Sequence, residues 1–246
     1  MLPSRLNFEG DQWDGKLCQA LQATLGSWGF AAIDNVAEAQ EIQTISMLME
    51  EVFVKRNRIY MRDLGDNAEI YDQPQILEII SPSKIAPALL QTRFFQQALK
   101  ISQGVLGPAA KLLFDHCIVK PAFNNTATAW HQDCAYARTI YLFSPRRLHW
   151  WLPLQDATRD NGCMEFVAGS HLGRVLPHRP RSPRAHALQV QLPSEVKPTA
   201  CPVPVGGVTV HFPKTIHGTG PNKTPVSRTA WILHLGIKGW KPTLMR

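Results

Sequence analysis

The stretch Trp130-His131-Gln132-Asp133 decides the fold, because it places two potential metal ligands two residues apart. On an extended segment such side chains point to the same face. Thr215-Ile216-His217 and then Arg228 follow much later in the chain. A distant histidine can close a triangle with His131 and Asp133, which gives two imidazoles and one carboxylate on one face of an octahedron. Because this facial triad leaves the opposite coordination positions open, the pattern predicts a ferrous ion site of the kind found in non-haem oxygenases.

The spacing of the distal residues supports the same interpretation. Arg228 lies 11 residues after His217, directly before the alternating stretch 229–235, which is typical of a strand. A guanidinium suits such a site because it binds a carboxylate through two parallel hydrogen bonds and keeps its charge. His211 competes with His217 for the distal ligand position. We prefer His217, because only this histidine has an arginine at that offset and the turn 218–222 behind it.

Five motifs in the second half of the chain resemble, in order, those of the phytanoyl-CoA dioxygenase family. They are WHQD at 130–133, the stretch 151–163, the sequence Ala168-Gly169-Ser170-His171, a distal HxT at 217–219, and an arginine 11 residues beyond its histidine. The resemblance covers roughly residues 110 to 236. It implies a 2-oxoglutarate-dependent oxygenase on a double-stranded β-helix, the cupin-like jelly roll, in a mainly β fold with flanking helices.

The resemblance also implies which residues bind the metal and the co-substrate. The implied Fe(II) ligands are His131, Asp133 and His217. The residues implied to bind or enclose 2-oxoglutarate are Arg228, which would hold its far carboxylate, and Thr219, Trp151 and His116. No counterpart is visible for the upstream lysine that some relatives contribute. Halogenating relatives have a small residue in place of the aspartate. The presence of Asp133 therefore favours hydroxylation or another oxidation by O2, with release of succinate and CO2.

The sequence does not determine the substrate. Members of the family act on many kinds of small molecule, so the resemblance alone cannot choose among them. A small specialised metabolite is favoured over a thioester, because the chain shows no long insertion for coenzyme A. Hydroxylation of an unactivated C–H bond is the favoured reaction. Desaturation and ring closure are left open, because all three begin with the same hydrogen abstraction. The residues expected to contact the substrate are Tyr136, Arg138, His149 and Trp231.

Length and periodicity predict one domain over residues 1–246, in which a helical part at about 1–112 buttresses a jelly-roll core at about 113–240. Apolar residues recur at helical spacing over 14–28, 38–56 and, as a helix or helix pair, 87–111. Asp160-Asn161-Gly162 is a tight-turn sequence, because Asn and Gly tolerate positive φ. It predicts a hairpin between the strands on either side of it.

Charge and composition restrict the possible partners. The formal net charge is +7 and the pI is about 9.3, but the basic residues are scattered and form no stripe interleaved with aromatic residues. A small-molecule substrate is therefore expected, and a nucleic-acid partner is not. The densest basic cluster is interrupted by prolines and is interpreted either as a solvated loop or as a lid that faces the substrate. Its members are Arg174, His178, Arg179, Arg181 and Arg184.

Cysteine usage and hydropathy indicate the compartment. The five cysteines contain no CxxC pair, and an odd number argues against a disulfide framework. Reduced thiols in a cytoplasmic protein are expected. Neither an apolar run of 18 residues nor a signal peptide is visible, so no membrane association is expected. The oligomeric state is not determined by the sequence. A cupin-like metalloprotein without oxygenase activity is the alternative on this scaffold, and it would bind metal without needing Arg228.

Overall fold

Strands from both halves of the chain pair into two main sheets. The computed structural model describes residues 5–8, 15–55, 61–65, 74–136, 146–183 and 185–238. With strands numbered along the chain, the larger sheet contains, in spatial order, β1 (Leu6–Asn7), β2 (Phe30–Asp34), β12 (Val208–His211), β7 (Arg147–Pro153), β14 (Arg228–Gly236), β5 (Lys111–Lys120), β4 (Leu77–Ile80) and β3 (Met61–Asp63). The smaller sheet contains β11 (Thr199–Cys201), β8 (Met164–Phe166), β13 (His217–Thr219) and β6 (Thr128–His131). A separate pair is formed by β9 (Arg179–Pro180) and β10 (Leu188–Gln189).

Alternation along β14 gives the larger sheet two different faces. Ala230 and Ile232 lie in the core between the two sheets, where Phe166 of β8 also packs. Trp231 and Leu233 point the other way and lie in a second core with the helices. The smaller sheet therefore covers one face of the larger sheet, and the helices cover the other. This is the jelly roll with flanking helices that the sequence predicts.

Helices pack against the outer face of the larger sheet. They are α1 (Gly15–Trp28), α2 (Ala39–Lys55), α3 (Pro82–Ile85) and α4 (Arg93–Leu106), with three-ten turns at Pro87–Gln91, Asp133–Tyr136 and Ser170–Leu172. The helical stretch predicted over 87–111 is divided at Thr92, whose hydroxyl accepts a hydrogen bond from Phe95 N at 3.3 Å and caps α4. Gly107, with a φ of 112°, ends α4. Within the described residues, no helix has the length and hydropathy of a bilayer-spanning segment.

The first 112 residues contribute strands as well as helices. All of β1 to β4 lie in the larger sheet, and β2 pairs antiparallel with β12. Helices α1, α2 and α4 lie where the apolar periodicity predicts them, whereas the short α3 was not predicted. The strands of this part lie at both edges of the larger sheet. The organisation of residues 1–246 as a single domain stays a prediction.

Trp231, which we expected near the substrate, lies in the core on the helix side. Its indole is fully buried and lies against Phe94 of α4, with ring centroids 5.7 Å apart. The indole Nε1 donates a hydrogen bond to Asp115 Oδ2 at 3.1 Å. The expectation is wrong because Trp231 and Arg228 are an odd number of residues apart on β14, so their side chains point to opposite faces. Trp231 is therefore a structural residue.

The turn at Asp160-Asn161-Gly162 connects the two sheets, and the predicted hairpin is wrong. The strand before the turn, β7, pairs with β12 and β14, whereas the strand after it, β8, pairs with β11 and β13. The turn itself forms as expected, because Gly162 has a φ of 82° and Asn161 Oδ1 accepts a hydrogen bond from Thr158 N at 2.8 Å. A Cβ atom at position 162 would lie 2.5 Å from the carbonyl oxygen of Gly220, so glycine is required there.

Lys120, at the end of β5, carries a fully buried amino group. Its Nζ donates to the backbone carbonyls of Gly220 at 2.5 Å, Thr126 at 3.1 Å and Thr219 at 3.4 Å. These hydrogen bonds join the end of β5 to the end of β13 and offset part of the cost of burying the charge. In the antiparallel pair of β5 and β14, Lys120 is directly opposite Arg228.

The surroundings of Lys120 disfavour its charged form. Burial, together with the nearby cations Arg228 and Arg181, lowers the pKa of Lys120 to about 6, although the carboxylate of Glu165 opposes the shift. The three carbonyl acceptors act in the opposite direction and favour the ammonium form of Lys120, because an ammonium has three donors and a neutral amine has two.

We predict that Lys120 makes stability depend on pH. Between pH 6 and 8 the unfolded chain keeps Lys120 protonated while the folded protein releases the proton, so the free energy of unfolding rises with pH. The slope is at most ~1.4 kcal/mol per pH unit. Urea unfolding of the wild type and of Lys120→Met measures this slope. The free energy of unfolding of the wild type minus that of the variant should rise from pH 6 to 8. A difference that stays constant would show that the carbonyls keep Lys120 charged.

Candidate metal centre and co-substrate pocket

The three expected metal ligands converge at the facing ends of two neighbouring strands. His131 is the last residue of β6, His217 is the first residue of β13, and the two are paired directly in the smaller sheet. Asp133 begins the three-ten turn that follows β6. Its Oδ1 lies 3.3 Å from His131 Nε2, and its Oδ2 lies 3.5 Å from His217 Nε2. The ligating atoms of all three residues lie within 4.8 Å of one another, so these residues could hold one metal ion.

Backbone carbonyls fix the tautomer of both histidines. His131 Nδ1 donates to the carbonyl of Ala129 at 2.7 Å, and His217 Nδ1 donates to the carbonyl of Thr215 at 2.9 Å. Each carbonyl lies two residues before its histidine. With Nδ1 protonated, Nε2 of each ring presents its lone pair to the centre of the triad. The local backbone therefore prepares both imidazoles for ligation.

A second group of potential ligands shares Asp133. It contains Asp133, His149 of β7 and His211 of β12. His149 Nδ1 lies 2.6 Å from Asp133 Oδ2, and His211 Nε2 lies 3.4 Å from the same oxygen. On the far side of each ring, His149 Nε2 and His211 Nδ1 are buried without a hydrogen-bond partner. Histidines that ligate metals almost always donate a hydrogen bond through the other ring nitrogen.

The comparison of the two groups favours the triad with His217. Its two imidazoles have the outward hydrogen bonds that a metal site requires, whereas those of His149 and His211 do not. The short contact of 2.6 Å between His149 and Asp133 is a hydrogen bond, which fixes the orientation of the carboxylate. His149 is therefore a positioning residue for Asp133.

The electrostatics of the triad suit a cation. Burial raises the pKa of Asp133, but the nearby His217 and His149 and the hydrogen bonds from His131 and His149 outweigh burial and hold it well below its ordinary value. Burial lowers the pKa of His217 well below its ordinary value, although Asp133 opposes the shift. Asp133 is thus ionised and His217 is neutral near pH 7, as ligation requires. Burial lowers the pKa of His131, but the hydrogen bond to Asp133 and its charge outweigh burial and raise it, so a metal ion competes with a proton for His131 Nε2.

Two buried side chains of β14 and β13 have hydrogen-bond donors without partners. Arg228 is 1% exposed, and its Nε and Nη1 have no hydrogen-bond partner. The hydroxyl of Thr219 is also buried without a partner. The guanidinium carbon of Arg228 lies 5.3 Å from the ring centroid of Trp151. Within the described residues, no carboxylate forms an ion pair with Arg228. A buried cation without a counter-ion fits a pocket that binds an anion, and a dicarboxylate fits it together with the metal.

His116 lies on the inner face of β5 in a row of polar side chains. Its Nδ1 lies 2.7 Å from Glu78 Oε1, and its Nε2 lies 3.3 Å from His234 Nε2. The ring of His234 stacks on the ring of His149, with centroids 3.6 Å apart and planes 20° apart. The row therefore runs from Asp133, through three imidazoles, to Glu78. Its position on the inner face agrees with an expected role of His116 near the co-substrate, which stays a prediction.

The residues expected to contact the substrate lie in different surroundings. The ring of Tyr136 lies 5.9 Å from the ring of His131, and its hydroxyl accepts a hydrogen bond from Leu188 N at 2.8 Å. His149 is 1% exposed and is occupied by Asp133 and the stacked imidazole. Trp231 lies in the other core. Arg138 lies outside the described residues. Of these four residues, the structure brings Tyr136 and His149 to the metal centre.

Three residues at the site escaped the sequence reasoning. Lys120 faces Arg228 only because of the register of β5 and β14, which the sequence does not display. Gln132 is fully buried between the two ligands of the HxD segment, and His178 accepts a hydrogen bond from its backbone N–H at 2.9 Å. Of these residues, only Gln132 could have been found from the sequence. A polar residue between two ligands of an extended segment must point away from the metal, so its side chain needs partners elsewhere.

Comparison with known sequences agrees with this geometry. A family model described as phytanoyl-CoA dioxygenase (PhyH) matches residues 27–230. The peroxisomal phytanoyl-CoA dioxygenase of Mus musculus is 27% identical over 238 residues, which cover 85% of this chain and 65% of the mouse protein. The chain thus spans slightly less than two thirds of the length of that relative.

Solved structures with the same fold include complexes with 2-oxoglutarate. EvdO2 from Micromonospora carbonacea var. aurantiaca, complexed with 2-oxoglutarate, is 28% identical with a TM-score of 0.72, and the match covers 95% of this chain and 96% of EvdO2. The epimerase SnoN, in complex with Fe3+, alpha ketoglutarate and nogalamycin RO, has a TM-score of 0.69 at 20% identity over 94% of this chain and 89% of SnoN, and it shares the fold. Because the family model matches most of the sequence, the chain belongs to the phytanoyl-CoA dioxygenase family.

Proposed function

We propose that this protein is an iron(II)- and 2-oxoglutarate-dependent oxygenase that hydroxylates an unactivated C–H bond of a small specialised metabolite and releases succinate and CO2. The observation that carries the proposal is the buried Arg228, whose Nε and Nη1 have no hydrogen-bond partner and whose guanidinium carbon lies 5.3 Å from the ring centroid of Trp151. A cupin-like metal protein without a dicarboxylate would have no use for this buried charge, which costs several kcal/mol to leave unpaired. The likeness to EvdO2, whose structure contains 2-oxoglutarate, supports the same co-substrate.

In this proposal the chain holds iron through His131, Asp133 and His217. Bound iron, with 2-oxoglutarate and O2, supplies the oxidising chemistry. The carbonyls of Ala129 and Thr215 keep the two imidazoles in the ligating tautomer. His149 donates to Asp133 Oδ2 and fixes the plane of the carboxylate, leaving Oδ1 on the side of His131.

The carboxylate of 2-oxoglutarate that lies farther from the metal is assigned to Arg228 and Thr219. The guanidinium can donate two hydrogen bonds to one carboxylate, and the Thr219 hydroxyl can donate a third. Trp151 limits the lateral movement of the guanidinium by lying against it. Lys120 holds the backbone carbonyl of Thr219 and thereby the position of its hydroxyl. Binding the dicarboxylate between two fixed ends orients its keto group at the metal and excludes water.

A small substrate is assigned to the inner face near the metal and the polar row. Tyr136 lies beside His131, and the side chains of His116 and Glu78 retain 14% and 10% exposure. The match over 96% of EvdO2 supports a domain without a large additional insertion for coenzyme A. Product analysis by mass spectrometry separates hydroxylation, which adds one oxygen atom, from desaturation and ring closure, which remove two hydrogen atoms.

We predict that Arg228→Met weakens 2-oxoglutarate binding by about 30-fold or more, because removing one partner of a buried charge pair costs about 2–5 kcal/mol. The measurement is an anaerobic titration of the Fe(II) protein with 2-oxoglutarate, followed by its visible charge-transfer absorption. Fe(II) binding itself should stay within a factor of a few of wild type, because Arg228 is not a ligand. Unchanged 2-oxoglutarate affinity in the variant would exclude Arg228 as the anchor.

We predict that His217→Ala and His211→Ala affect metal binding differently. Removal of a ligand should abolish measurable Mn(II) binding, whereas removal of a residue that only contacts the ligand Asp133 should weaken it by about 10- to 100-fold. Electron paramagnetic resonance of free Mn(II) measures both affinities. If both variants lose the same Mn(II) affinity, or if His211→Ala loses more, the metal site is instead the group that contains Asp133, His149 and His211.

A further inference from the structure

The basic, proline-interrupted segment 174–183 lies directly on the strand that carries the first metal ligand. The guanidinium of Arg181 donates to the carbonyl of Ala127 just before β6. Beyond the segment, Val190 N donates to the carbonyl of Trp130 at 2.8 Å, next to His131. The segment is thus neither a detached solvated loop nor a free lid, because backbone and side-chain hydrogen bonds attach it along β6.

Gln132 is the main connection between this segment and the metal centre. Its side chain is fully buried, with Nε2 donating to the carbonyl of Lys214 at 2.8 Å and to that of Arg174 at 3.4 Å. Its Oε1 accepts a hydrogen bond from Leu176 N at 2.8 Å. Its backbone N–H donates to His178 Nε2 at 2.9 Å. One residue therefore makes three contacts with segment 174–183 and one with the loop that leads to His217.

The position of Gln132 in the chain gives these contacts their significance. It lies between His131 and Asp133, so any movement of its backbone moves both ligands. Lys214 lies three residues before His217 and is held by the same amide. The orientation of His178 is fixed as well, because its Nδ1 donates to the carbonyl of Leu176 at 2.7 Å and leaves Nε2 as the acceptor. A single buried amide thus links all three ligand positions to segment 174–183.

We propose that Gln132 is a positioning residue that couples metal binding to the order of segment 174–183. The inference rests on the proposed function only in using the triad as the metal site. Because the coupling is thermodynamic, it is reciprocal: metal that fixes His131 and Asp133 stabilises the segment, and a stable segment raises metal affinity. The exposed arginines of the segment then form a fixed rim beside the metal pocket, supported from below by the buried amide.

Trypsin digestion of the full chain tests the proposal, because cleavage of a folded segment requires local opening. The bonds Arg174–Val175 and Arg181–Ser182 lie within the segment. We expect Mn(II) to slow cleavage at both bonds by about 5- to 100-fold in the wild type, the range of ordinary coupling energies. Gln132→Leu should lose this metal-dependent protection and bind Mn(II) more weakly by a similar factor, as measured by electron paramagnetic resonance.

Two further variants separate coupling from a general loss of structure. Gln103→Leu removes a matched amide, whose Nε2 donates to the carbonyl of Ala110 at 3.2 Å at the end of α4, and should keep full protection. His178→Ala removes one of the contacts from the segment side and should reduce the protection in part. Cleavage at Lys100–Ile101 within α4 reports unfolding of the whole chain. If Gln132→Leu is cleaved faster at this bond, the variant is generally unstable, and His178→Ala then tests the coupling.

The outcomes distinguish this inference from the proposed function. If wild-type protein binds Mn(II) and cleavage of the segment is unchanged, or if Gln132→Leu and His178→Ala keep full protection, the coupling is overturned while the metal site stands. If wild-type protein binds no Mn(II), the proposed function and the coupling fail together. Protection in the wild type that is lost in Gln132→Leu and retained in Gln103→Leu supports the coupling.

Discussion

One carboxylate organises the centre of this protein. Asp133 lies within 2.6 to 3.5 Å of imidazole nitrogens from four histidines: His131, His149, His211 and His217. They come from β6, β7, β12 and β13, so this single anion connects the two sheets. The surrounding imidazoles outweigh the effect of burial and keep Asp133 ionised, and the carboxylate in turn keeps its closest neighbours oriented. The rest of the pocket is arranged relative to this charge.

A buried guanidinium and a buried amino group lie side by side on the larger sheet. Arg228 and Lys120 face each other across β14 and β5, and both are buried. Lys120 is held by backbone carbonyls and Arg228 retains unpartnered donors, so only Arg228 is available to a ligand. The protein therefore combines an anionic ligand set for a cation with a buried guanidinium for an anion. This charge distribution matches a dicarboxylate that bridges a metal ion and an arginine.

The sequence predicted those parts of the site that depend on local spacing. The alternation of an extended segment predicts His131 and Asp133 on one side, and His131 Nε2 does lie 3.3 Å from Asp133 Oδ1, although Asp133 begins a three-ten turn. The choice of His217 over His211, made from the offset of Arg228, stays a prediction. Two other expectations were wrong, one because of the strand face that a side chain occupies and one because of the strand pairing. Trp231 was placed on the wrong face of its strand, although its odd separation from Arg228 along an extended segment indicates the opposite face. The turn before β8 was recognised, but its strands pair with partners far away in the chain.

The residues that the sequence could not reveal act through tertiary contacts. The burial and the partners of Lys120 depend on the pairing of β14 with β5, and those of Gln132 depend on the packing of segment 174–183 on β6. Both are polar groups whose partners are backbone carbonyls or amides, and such partners leave no signature in composition or periodicity. Helix positions, in contrast, followed the apolar stripes, since packing of one face suffices to specify them.

The close approach of Gly162 to Gly220 has an evolutionary consequence. The carbonyl that a side chain at position 162 would strike is the same one that receives the shortest hydrogen bond of Lys120. Any replacement at this crossover between the sheets would push that carbonyl outward and disturb the neighbouring hydroxyl of Thr219. Selection on the chemistry of the site would therefore extend to a buried turn residue that belongs neither to the metal triad nor to the proposed co-substrate site.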